Sequence, residues 1–266
     1  MDDLCYNIND LSIRTYGYLS SVFSYRLGMS EIGITDILIH TIVHTSFSYK
    51  INRVQVYKSG WKLESQYGYD IDLFIQRKDG KYNRVVLQAK VMSFNGTYAD
   101  LTLKSKPNQW DKMLLHEKKY NSKSYYLLYN GKPNIKPLRK KPTRKDCLGI
   151  PKMEELGMGI VETQIVKNVR ESHLFPYGKL HISEFFPDNM DSIRKLFCCD
   201  GGGFEYNEDE GYNYKEIYLG QPYELIKPFE ESKFDDESNN EISLNNPKLQ
   251  KEYPDLAEYR IIINRE

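Results

Sequence analysis

The sequence predicts a mixed α/β fold, on three observations. Hydrophobic residues make up 40% of the 266 and charged residues 28%, the balance of a globular chain able to bury a large core. Segments 70–76 and 83–92 alternate apolar and polar side chains, as strands with one face on a core do. Stretches with helical spacing flank them, giving the order helix, three strands, helix, strand.

Residues 10–27 place Leu11, Tyr16, Leu19 and Phe23 at rough helical spacing, and Gly28 closes the segment. Thr35 and Asp36 are plausible N-caps for a second helix carrying Ile37, Leu38, Ile42 and Val43, with Glu31 at its start or in its lead-in. Residues 53–59 alternate as a strand. Strands 70–76 and 83–92 flank an Asp79-Gly80 turn. Residues 107–120 read as a helix with Pro107 near its start, and 124–129 as a strand stopped by Asn130-Gly131. Beyond it come a proline-bearing loop at 132–145, a strand at 158–166, a short helix at 187–197 and a terminal strand at 258–264. Residues 234–246 have the composition of a disordered segment. The expected organisation is a core over 1–200 and an extension over 201–266, packed on that core, partly acidic and flexible.

Net charge is zero, but its distribution is uneven. Residues 132–145 carry seven basic side chains and no acid, whereas 200–241 carry 13 acids against three lysines. Local patches set a binding field, so a polyanion partner stays open, with Arg139, Lys140 and Lys141 as candidate phosphate contacts and a solvated linker as the plainer reading. Adjacent Cys198 and Cys199 suit a disulfide framework poorly, so the four cysteines are expected to be inert thiols of a reducing cytoplasm. Zinc on Cys147, His181, Cys198 and Cys199 would lack the usual CxxC or HxxxH spacing. His40 and His44 stand four apart on the expected second helix, beside the core, without an evident third ligand. The glycines 201–203 lack a following GK(S/T), so they form a loop and not a phosphate cradle. The N-terminus has no basic signal-like region and no run of about 18 apolar residues occurs, which predicts a soluble chain with no membrane partner.

Asp70 and Asp72 share one face of their strand, and Gln88 and Lys90 share one face of theirs. Whether the two polar faces coincide depends on the turn. A two-residue turn at Asp79-Gly80 pairs Asp70 with Ala89 and separates the acids from Gln88 and Lys90. A three-residue loop, Lys78-Asp79-Gly80, pairs residues 77 and 81 and sets Asp70 opposite Gln88. Gly80 suits the left-handed position that this loop requires, and the loop also gathers Ile71, Leu73, Leu87 and Ala89 on one apolar face. The bulged loop is therefore expected, with positive φ at Gly80.

The stretch GYDIDLFIQ, a turn, then VVLQAKV resembles the D…(D/E)XK motif of the PD-(D/E)XK nuclease-like superfamily, in the form where Gln replaces the second acid, as in Mrr-like restriction enzymes. Glu31 resembles the helix-borne Glu of that fold, and QWDKMLLHEKKYNSKSYYLLYNG its following helix and strand, so the likeness covers about residues 28–131. A bacterial defence-type family with a D-x-(D/E) strand, an LQAK strand and a YLLYN strand is similar as well. The resemblance implies a restriction-endonuclease-like α/β core with a C-terminal elaboration. It implies an enzyme too: a cytoplasmic endonuclease that hydrolyses DNA, more than RNA, with Mg2+ or Mn2+, in restriction or antiviral defence, as a homodimer or with a partner protein. By the same resemblance Asp70, or its rival Asp72, binds the metal and Gln88 gives its carbonyl. Lys90 orients the attacking water, Glu31 completes the ligand set, and Gln109 contacts phosphate or Gln88. Neutral Gln88 binds a hard cation less well than Glu, unless Glu31 and Asp72 compensate. The alternative is an inactive nuclease-fold protein serving as a nucleic-acid-binding or assembly subunit. The plainest reading leaves all four positions as the polar face of an ordinary strand pair.

Overall fold

Two helices lead the chain: α1 (Asp3–Ser24) and α2 (Glu31–Ser48). A computed structural model describes residues 3–48, 54–59, 67–98, 101, 108–133, 140–172, 179–204, 210–217, 223–226 and 257–264. The expected disorder at 234–246, and Arg139 of the basic run, lie outside these residues. α2 begins a turn earlier than the Thr35 and Asp36 caps suggested. Ser30 is its effective cap, with its carbonyl 3.3 Å from the Ile34 amide and its hydroxyl 3.5 Å from that of Gly33. Glu31 therefore sits in the first helical turn, where the helix dipole favours an acid. Ile34, Leu38, Ile42 and Thr45 form the buried stripe, and His40 and His44 lie exposed on the outer side.

β1 (Val54–Ser59), β2 (Ile71–Gln76) and β3 (Tyr82–Val91) follow, then a short β4 (Thr97–Tyr98), α3 (Gln109–Tyr120) and β5 (Lys123–Tyr129). The β2–β3 loop is the bulged one: Gly80 has φ +82°, the Arg77 amide donates to the Lys81 carbonyl at 2.8 Å, and Ile71 pairs with Leu87. Past β5, the expected strand at 158–166 is divided. β6 (Met158–Glu162) ends at Glu162 and α4 (Thr163–Ser172) starts at once, because Val166 and the buried Arg170 recur at helical spacing. The expected helix at 187–197 shortens to α5 (Arg194–Cys198), preceded by β7 (Leu180–His181) and β8 (Asp191–Ser192).

The extension holds a larger departure. β9 (Tyr223–Leu225) and β10 (Tyr259–Ile263) join the main sheet, whose order is β8-β6-β5-β3-β2-β10-β1-β9. β10 lies between β1 and β2, parallel to β2 and antiparallel to β1. The three strands expected in a row are thus interrupted by a segment distant in sequence. β4 and β7 form a separate ribbon. The architecture is mixed α/β. Tyr129 meets α2 while Gln88, of the opposite alternation, meets α3, so helices cover both faces.

The cysteines are not free thiols. Cys5 bonds Cys198 and Cys147 bonds Cys199, which overturns the expectation of inert thiols and leaves no thiolate set for zinc. Adjacent cysteines succeed here because they reach different elements, one α1 and the other the loop before β6. Among the described residues no helix is long and apolar enough to cross a membrane.

Candidate active site

The bulged loop sets the register, and the register builds the site. Asp70 precedes β2 by one residue and its amide donates to the Leu87 carbonyl at 2.9 Å. Gln88 Nε2 donates to Asp70 Oδ2 at 2.7 Å, and the Ala89 amide donates to the same oxygen at 2.8 Å. Gln109, the first residue of α3, donates from Nε2 to Gln88 Oε1 at 2.8 Å, so Gln109, Gln88 and Asp70 form one chain of hydrogen bonds. Gly68 makes room for it: φ there is +69°, and a Cβ would stand 3.0 Å from the Gln109 Cγ. Lys90, near the end of β3, reaches Glu31 of α2 with Nζ 3.2 Å from Oε1. Asp70, Gln88, Lys90, Glu31 and Gln109 are thereby brought together from two helices, β3 and the residue that leads into β2.

Asp72 is not brought with them. Its fully buried carboxylate takes Arg84 in a two-pronged pair, Nε and Nη2 each at 2.9 Å, and Arg260 of β10 with Nε at 3.0 Å and Nη2 at 2.7 Å. Both guanidiniums also lie 5.3 Å from the Phe74 ring. This carboxylate is committed to the core, which removes it from the expected ligand set. Burial alone would raise its pKa, but the charges of Arg84 and Arg260 outweigh that and hold it below the ordinary range.

Asp70 shows the opposite balance. Desolvation pushes its pKa up to about 6, against the lowering pull of the Ala89 amide and the Lys90 charge, and Glu31 and Glu258 raise it further. Glu258 was not singled out by its local sequence. It stands level with Asp70 because Tyr259 pairs with Ile71 on the neighbouring parallel strand. Tyr259 itself donates to Asp36 of α2 at 2.7 Å. No short-range pattern points to either residue, since β10 is placed by tertiary pairing alone.

Lys140 and Lys141 are exposed. The chain after them is anchored at the β8 edge by Arg144 to Asp191 at 2.9 Å and by the buried pair of Arg194 and Asp146 at 2.7 Å. Four hydrogen-bonded steps across the sheet separate β8 from β2. His116 is buried and shares contacts with the Tyr69 and Ser122 hydroxyls; burial drives its pKa down to about 3, so it is neutral and structural. Among the described residues no three His, Cys, Asp or Glu side chains converge as a ready metal centre.

The donor set nonetheless suits a hard divalent cation in one respect. Asp70 is a desolvated carboxylate whose short contacts are neutral N–H groups, and a cation would supply the charge that its surroundings lack. No curated protein matches the chain. The profile of DUF6615, a family of unknown function, matches residues 4–266, and the chain belongs to that family.

Proposed function

We propose that the chain is a metal-dependent nuclease of the PD-(D/E)XK type, acting on DNA phosphodiesters in bacterial defence, with its centre at Asp70. The observation that carries this reading is the pairing of Asp70 with Gln88 beside the Lys90–Glu31 contact, on the register that the bulged loop imposes. Asp70 and Glu31 would hold Mg2+ or Mn2+, and the Gln88 carbonyl would join them once its amide, whose N–H faces Asp70 and whose oxygen faces Gln109, has turned over. The ion would polarise a phosphate oxygen and ease deprotonation of water. Lys90 holds the attacking water in line and offsets the charge growing on the phosphate. Glu31 keeps the Lys90 ammonium in place, and Gln109 fixes the amide of Gln88. Plasmid nicking tests the proposal. Cleavage should need a divalent ion, stop with EDTA, and vanish in Asp70→Asn and Lys90→Ala while both variants keep the wild-type circular dichroism. Either folded variant cutting at the wild-type rate would remove the site.

One observation favours a second reading, that of an inactive nucleic-acid-binding or assembly subunit. The Gln88 carbonyl is already taken by Gln109. Calorimetry with Mn2+ separates the two, because an inactive subunit would show no saturable uptake dependent on Asp70.

A further inference from the structure

We infer that the turn joining α1 to α2 grips the substrate and selects DNA with unpaired, accessible bases over intact duplex, an inference that rests on the nuclease reading of the Asp70 centre. The turn stands beside that centre. Glu31, whose carboxylate meets Lys90, is the first residue of α2. α1 approaches the same end of the sheet. The Lys132 amide, just past the end of β5, donates to the Ser20 hydroxyl at 2.7 Å, and β5 runs parallel to β3 with Leu128 level with Lys90. Leu27 is four residues from Glu31, so the chain holds it within about 14 Å, the length of about four stacked bases.

The backbone of the turn is fixed. The Arg26 amide donates to the Phe23 carbonyl at 3.0 Å and the Leu27 amide to that of Val22 at 3.2 Å, with Arg26 left-handed at φ +58°. Met29 packs against the core. At such a helix end the residue in the place of Leu27 commonly packs back on the helix. Here Leu27 is 61% exposed, with Tyr25 at 75% and Ile32, next to Glu31, at 66%. Single exposed apolar residues are ordinary, but three within eight positions beside a carboxylate make a patch.

Positive charge accompanies it. Arg26 and Lys132 are exposed and make no ion pair among the described residues. Of the carboxylates on this side, Glu31 faces Lys90, and Glu154 borders Tyr16, nine residues before Tyr25. Cations serve the phosphates of any nucleic acid. Tyr25, Leu27 and Ile32 gain nothing from a duplex, whose base faces are stacked inside. Unpaired bases present those faces, and stacking on an aromatic ring beside a cationic track holds single strands without regard to sequence. The surface therefore fits a single-stranded end, flap or gap.

Fluorescence anisotropy on the full chain in EDTA, which prevents cleavage, tests this with labelled oligothymidylate and a blunt duplex of equal length. The single strand should bind more tightly. Tyr25→Ala with Leu27→Ala should weaken it roughly tenfold or more and change duplex binding little. Arg26→Ala should lower the slope of log single-strand affinity against log salt by about 0.7. The substituted side chains are exposed, and circular dichroism of each variant must match the wild type. The proposal is overturned if the single strand does not bind, if the duplex binds equally well, or if the double variant keeps its single-strand affinity. It is overturned too if sedimentation shows a dimer that the double variant dissolves, since a second copy would then cover the turn. Binding in EDTA needs no cleavage, so these failures leave the carboxylate site standing. Conversely, cleavage at the wild-type rate by Asp70→Asn would remove that site without altering the measured preference for single strands.

Discussion

Asp70 and Asp72 lie two residues apart, yet they meet opposite surroundings. Asp72 is clasped by two guanidiniums and held ionised. Asp70 is clasped by two neutral N–H groups, and desolvation raises its pKa to about 6. One carboxylate is spent on the core and the other is left short of positive charge. Strand position makes both candidates, and the neighbours supplied by other elements decide which is available for chemistry.

Four experiments would break or sharpen that contrast. The largest effect should come from Asp72→Ala. It strands two buried arginines, and removing one partner of a buried pair costs about 3–5 kcal/mol. Chemical denaturation would read this as a large fall in midpoint. A loss below about 1 kcal/mol would show that Asp72 is not the anchor described.

Asp70→Asn should act the other way on stability. The folded-state pKa is about 6 and the unfolded one about 3.9. Between these values the folded chain keeps a proton that the unfolded chain has released. Stability at this site is therefore greatest below about pH 4 and falls as pH rises to about 6. Above that the cost is complete, on the order of 2–3 kcal/mol for a shift of about two units. The Asn variant should remove that fall and unfold later than the wild type at pH 7, while losing cleavage. Parallel unfolding curves for the two proteins from pH 4 to 7 would contradict the desolvated carboxylate.

A third, smaller change tests Gln88. In Gln88→Glu the metal affinity should be kept or raised, because a carboxylate binds a hard cation better than an amide does. Without metal, two adjoining carboxylates should push the Asp70 titration higher still. Mn2+ titration at pH 7 reads the first effect. Weaker binding in the variant would mean that Gln88 only positions Asp70.

The smallest effect is expected from the exposed basic chain. Neutralising Lys140 and Lys141 should lower the slope of log DNA affinity against log salt by up to about two, with stability unchanged. An unaltered slope would make this stretch a plain linker.

The parts of the site that the sequence revealed are those governed by local rules. Gly80 fixes the loop, alternation fixes the faces, and together they place Asp70 against Gln88. The fate of Asp72 was hidden because one of its two partners, Arg260, arrives on a strand remote in the chain. Glu258 was hidden for the same reason. The start of α2 was displaced because the chain uses Ser30 as its cap although Thr35 and Asp36 also suit one. At Glu162 a strand gives way to a helix without a loop, and a short apolar run cannot tell those two apart. The disulfides are not legible in the sequence because adjacency says nothing about what each cysteine faces.

The insertion of β10 between β1 and β2 also sets an order of events at synthesis. A chain emerging N-terminus first presents β1 and β2 long before residues 259–263. Until those residues arrive, the facing edges of β1 and β2 lack their hydrogen-bond partners, and Asp72 lacks one of its two arginines. Asp70 likewise lacks the strand whose Tyr259 amide binds its carbonyl at 3.1 Å. The centre of the sheet therefore closes only once residues 259–263 have emerged, and the carboxylate site is completed with it.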